Sequence, residues 1–84
     1  MAYLVYVLFS DSSGKHYVGF TSDLEKRLLS HNLLSNKDWT RKYRPWRVIH
    51  TEEFLTKREA MVREKWLKSG HGREFVKRLP HIQM

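Results

Sequence analysis

Residues 3–9 form an unbroken apolar run, Tyr3-Leu4-Val5-Tyr6-Val7-Leu8-Phe9. Its β-branched and aromatic residues predict a buried strand. Residues 15–20, Lys-His-Tyr-Val-Gly-Phe, read as its partner. The four residues between them, Asp11-Ser12-Ser13-Gly14, have the chemistry of a hairpin loop. If Ser10 pairs with Lys15, Tyr6 falls opposite Gly19 and Leu8 opposite Tyr17. Both tyrosines then point to one side of the sheet, on a diagonal. Gly19, without a side chain, leaves room beside Tyr6. A slip of one residue would separate the two rings.

The period then changes from strand to helix. Thr21 or Ser22 can cap a helix running from about Asp23 to His31, and Ser22 with Glu25 has capping-box spacing. Leu24, Arg27, Leu28 and His31 follow the i, i+3, i+4, i+7 rule and share a face. Residues 32–45 read as a loop, in which Lys37, Arg41, Lys42 and Arg44 alternate with Trp39 and Tyr43. That mixture suits phosphate contact with base or sugar packing. Trp46 to Phe54 predicts a third strand at an edge. Thr56, with Glu59 three positions on, predicts a capped second helix. Ala60, Met61, Glu64, Leu67 and Lys68 lie on one face of it, so Glu64 stands among apolar residues. Ser69-Gly70-His71-Gly72 reads as the end of that helix. Arg73 to Leu79 reads as a short last helix, stopped by Pro80, with residues 80–84 as a flexible tail.

Eighty-four residues suffice for one domain, here taken as the whole of 1–84. Sixteen Lys and Arg against nine Asp and Glu give a formal net charge of +7. A domain this small and this basic points to a polyanionic partner, nucleic acid first. There is no cysteine, which excludes a disulfide framework and a Cys-ligated zinc site. No stretch approaches the length of a membrane span, and the chain opens on a strand-like segment without a basic leader. The expected location is the cytoplasm. His16, His50, His71 and His81 show no metal-ligand spacing.

Leu4-Val5-Tyr6 and Tyr17-Val18-Gly19 resemble the paired motifs of the GIY-YIG nuclease family. The segment from Phe20 to Asn32 is similar to that family's first helix, with its Arg and His. Arg63-Glu64-Lys65-Trp66-Leu67-Lys68 is similar to its second helix, with a metal-binding Glu. The resemblance runs from Tyr3 to about Leu79 and is greatest to small members made of the nuclease module alone. It implies an α/β fold of α+β type, with a small three-stranded, mostly antiparallel sheet flanked by helices. It also implies a Mg²⁺-dependent (or Mn²⁺-dependent) endonuclease acting on DNA, whose active face carries Tyr6, Tyr17, Arg27, His31 and Glu64. In that scheme Glu64 holds the metal and Arg27 binds the phosphate. Tyr6 is the favoured general base, and Tyr17 and His31 orient water or phosphate. His31 is the alternative base. Lys37, Arg41, Lys42, Arg44 and Arg73 are candidate nucleic-acid contacts.

Each residue type suits the chemistry. Mg²⁺ takes oxygen ligands and often only one or two protein carboxylates. Arginine presents a planar, permanently charged fork to phosphate oxygens. A tyrosine beside a cation can give up its proton below its ordinary pKa of about 10. Two departures stand out. Leu4 replaces the name-giving glycine of the first motif, which a strand tolerates. No asparagine follows Asn36, whereas many members place one in the C-terminal segment. That leaves open weaker catalysis, a substitute residue, or a homodimer or protein partner completing the site. The alternative function is a nucleic-acid-binding module of the same fold without useful turnover.

Overall fold

The structure is a computed structural model, and it describes residues 2–29 and 43–79. Three strands form one sheet: β1 (Tyr3–Ser10), β2 (Lys15–Thr21) and β3 (Trp46–Phe54). Their order is β2-β1-β3 and both pairings are antiparallel. The predicted register holds, with Ser10 opposite Lys15, Leu8 opposite Tyr17 and Tyr6 opposite Gly19. The loop closes through bonds from the Gly14 and Ser13 amides to the Ser10 carbonyl, at 2.7 and 3.3 Å. Gly14 adopts a φ of 74°, the left-handed region open to glycine at no cost.

β1 is apolar from Tyr3 to Phe9 because it is central and covered on both faces. Val5 and Val7 face one side, where they pack with Ala60, Leu67 and Val76 of the helices α2 (Lys57–Lys68) and α3 (Gly70–Lys77). Tyr6 and Leu8 face the other side, with Trp46 and with Leu24 and Leu28 of α1 (Leu24–Leu29). A register shift between Val7 and Leu8 inserts one extra residue into β3. Arg47 forks onto Asp11 at 2.7 and 3.1 Å, tying β3 to the hairpin loop.

Two helix boundaries differ from the sequence prediction. The cap of α1 is Asp23, whose Oδ1 accepts from the Lys26 amide at 3.2 Å, rather than Ser22. Thr21 sets up that cap by accepting the Asp23 amide at 3.0 Å. The glycines after Lys68 do not end α2; they open α3. Ser69 ends α2 and also caps α3, accepting from the Gly72 amide. Gly72 is buried, and a Cβ there would run into the Trp66 carbonyl oxygen and the Leu67 backbone. Glycine therefore allows α3 to fold back directly onto the end of α2. The predicted loop lies outside the described residues, apart from positions 43–45.

Candidate active site

The hairpin places the two tyrosine rings together. Their centroids are 6.3 Å apart and the planes 20° from parallel. Trp46 meets the same Tyr17 ring edge-on at 6.2 Å. Tyr17 is thus held between two aromatic neighbours. Tyr6 is only 1% exposed. The gap that accommodates it is Gly19, where an added Cβ would lie 2.6 Å from the Tyr6 hydroxyl and 3.2 Å from the Tyr17 ring.

Arg27 sits one turn into α1, exposed on the outer side of the stripe that Leu24 and Leu28 bury. Glu64 sits in the second half of α2. The start of that helix is fixed by a capping box, in which Thr56 accepts from the Glu59 amide at 3.1 Å and Glu59 accepts from the Thr56 amide at 3.3 Å. Its rotation is fixed next to Glu64. Arg63 donates to both carboxylate oxygens of Glu52 on β3, at 2.7 and 3.0 Å, and its guanidinium lies 4.6 Å from the Trp66 ring centre. His50 meets the same carboxylate at 2.8 Å. Burial pushes the Glu52 carboxyl up, but the hydrogen bonds from Arg63 and His50 outweigh it and hold the group below the usual glutamate range.

Arg27 and Glu64 line one open cleft of about 550 Å³, together with Tyr17, Tyr3, Thr21 and Lys57. Of the residues expected on the active face, Tyr17, Arg27 and Glu64 line this cleft together, and Tyr6 stacks behind Tyr17. α1 covers one face and α2 the other, and the cleft, beside the edge strand β2, is lined by residues from both helices. An edge strand lets side chains from opposite layers meet without crossing the sheet. Glu64 is partly sheltered, its side chain 19% exposed, and it accepts from Lys68 at 3.3 Å.

Tyr6 lies behind this cleft. Burial pushes its phenol well above the ordinary tyrosine range. The neighbouring Tyr17 and Glu64 add to the shift and Arg27 opposes it. Burial thus favours the protonated form of Tyr6, and the nearby Arg27 acts in the opposite direction. Burial is the larger effect.

Lys57 was missed in the sequence. Its signal was present, since Lys57 and Glu64 are seven residues apart, two helical turns along one face. His31, Lys37, Arg41 and Lys42 lie outside the described residues. Arg44 is half-buried just before β3, and Arg73 is exposed on α3; neither lines this cleft. Among the described residues no three His, Cys, Asp or Glu side chains cluster together, so Glu64 stands as a single carboxylate in the cleft. No helix among them is long and apolar enough to cross a membrane.

The family profile described as the GIY-YIG catalytic domain matches residues 2–78. The chain belongs to the GIY-YIG family. Its GIY-YIG motifs are the two facing strands β1 and β2, with the motif tyrosines stacked and the motif glycine beneath them. Among similar proteins, a UPF0213 protein of Bacillus pumilus is 43% identical over 58 residues, covering 69% of this chain and 59% of its own. A UPF0213 protein of Halobacterium salinarum is 41% identical over 64 residues, covering 76% of this chain and 82% of its own. The chain thus spans about three fifths of the Bacillus pumilus relative it matches. A UPF0213 protein of Bacillus halodurans, solved by NMR in solution, superposes with a TM-score of 0.54 at 32% identity. The match covers 90% of this chain and 82% of that one. The three-stranded antiparallel sheet with flanking helices is the GIY-YIG fold that this neighbour shares.

Proposed function

We propose that this chain is a metal-dependent endonuclease that hydrolyses DNA phosphodiester bonds in the cleft at the edge of β2. The observation that carries the reading is the meeting of Arg27, Glu64 and Tyr17 in one cleft, from elements on opposite faces of the sheet. Membership of a catalytic-domain family and the net charge of +7 support it.

The donor set fits a hard divalent cation. Glu64 offers a single partly sheltered carboxylate in a wide cleft, which leaves room for water and phosphate oxygens in the rest of the shell, as Mg²⁺ favours. When bound there, Mg²⁺ or Mn²⁺ would supply Lewis-acid stabilisation of the departing oxygen and positive charge beside the phenols. Arg27 grips the reactive phosphate and offsets charge that grows on its oxygens in the transition state. Lys57 adds a second positive charge on the opposite wall. Lys68 holds Glu64 in place through their shared hydrogen bond.

Tyr17, half-buried in the cleft wall, is the phenol placed to touch the attacking water. Tyr6 lies buried behind it and positions it by ring stacking. Burial, Tyr17 and Glu64 raise the pKa of Tyr6, whereas Arg27, and a cation held at Glu64, would lower it. His31, one helical turn after Arg27 in sequence, is the alternative proton acceptor.

The test is nicking of supercoiled plasmid by the purified chain. Nicked product should form with Mg²⁺, stop with EDTA, and resume when Mg²⁺ is restored. Cleavage indifferent to EDTA would overturn the metal-assisted mechanism. Absence of nicking, with salt-sensitive DNA binding retained, would turn the reading to a binding module of this fold.

A further inference from the structure

We infer that a second groove, adjoining the cleft, carries the phosphodiester backbone of the DNA strand that flanks the reactive phosphate. This rests on the nuclease reading above and adds to it the path of the substrate.

The groove has a volume of about 540 Å³ and lies between β2 and the α2–α3 corner. It is continuous with the cleft in two ways. Tyr17 lines both, and Lys68, on the groove side, bonds Glu64 on the cleft side at 3.3 Å. A strand whose phosphate sat at Arg27 and Glu64 could therefore pass directly into it.

Its walls match a polyanion. The floor is apolar, with Leu67 1% and Val76 4% exposed, and it suits sugar and base surfaces. The rim carries Lys68, Arg73 and Lys77, and among the described residues no acidic side chain lines the groove. Arg73 and Lys77 are four apart on α3, so they stand side by side on one face, with Val76 turned inward. Both are exposed, and neither is needed by the core. Tight folding of α3 onto α2, allowed by Gly72, is what brings these cations next to β2.

The experiment is fluorescence anisotropy of a short labelled DNA duplex, titrated at a series of salt concentrations in EDTA so that nothing is cut. Three proteins are compared. They are the unaltered chain, the double variant Arg73→Gln with Lys77→Gln, and a control that loses the same charge elsewhere, Arg58→Gln with Arg78→Gln. Lys68 is left intact because it touches Glu64. Each lost phosphate contact should flatten the salt dependence by about one unit in the log–log slope. The groove variant should lose about tenfold in affinity, with a slope shallower by between one and two. The control should change far less. Equal losses in the two double variants would mean that only net charge matters and would overturn the groove. Unchanged binding in the groove variant would overturn it too. Failure of the unaltered chain to bind DNA would instead overturn the nuclease reading and the groove with it.

Discussion

Arg27→Ala is expected to slow DNA nicking by about 10²–10³-fold, the usual cost of removing one fixed donor from a developing oxyanion. Arg27 is exposed, and Leu24 and Leu28 do the packing of α1. The substitution should therefore leave stability within about 0.5 kcal/mol of the parent. That separation makes the result interpretable, because a fall in rate without a fall in melting temperature locates the loss in the chemistry. Arg27→Lys should recover only part of the rate. Lysine restores the charge but not the planar fork that can engage two phosphate oxygens together. A Lys variant as fast as the parent would mean that the position supplies positive potential and no geometry. An Ala variant as fast as the parent would remove Arg27 from the mechanism.

The largest expected effect on stability is at Gly72. A methyl group there meets the Trp66 carbonyl oxygen and the Leu67 backbone, and backbone cannot swing aside as a side-chain tip can. α3 must move off α2 or the junction must unwind. The cost should be about 3 kcal/mol, at the upper end for overpacking. In a domain of this size that lowers the melting temperature by roughly 10–20 °C. Gly70→Ala is the matched comparison. It lies two residues earlier in the same helix with open space around its Cα. It should melt at or slightly above the parental temperature, since alanine restricts the unfolded chain more than glycine. Thermal melts of the two variants, monitored by circular dichroism, decide the matter. Equal melting of both would contradict the close α2–α3 junction that also shapes the groove.

Much of this architecture was legible in the residues. The Asp-Ser-Ser-Gly loop and the two apolar runs fixed the register of β1 and β2. That register brought Tyr6, Tyr17 and Gly19 together. The box of Thr56 and Glu59 located the start of α2, and a carboxylate among apolar neighbours singled out Glu64. What was not legible is tertiary. Periodicity reports which face of an element is apolar, but not which face of the sheet it will cover. That helices on opposite faces of the sheet bring Arg27 and Glu64 into one cleft was therefore not legible from either helix alone. Burial of Tyr6 depends on Leu8, Trp46 and α1 closing over it, so its raised pKa could not be read from a motif. Gly70 and Gly72 look like a helix stop by local rule, because nothing nearby in sequence reveals how closely α3 approaches α2.

The most direct test of the active-site assignment compares the unaltered chain with Glu64→Gln on the same supercoiled plasmid in Mg²⁺. Glutamine keeps the size and helical fit of the side chain and removes the charge that a divalent cation requires. The unaltered chain should convert the plasmid to nicked circles, whereas Glu64→Gln should leave it supercoiled while binding DNA at least as tightly. Nicking at the same rate by both proteins would show that the cleft at the edge of β2 is not where the phosphodiester is cut.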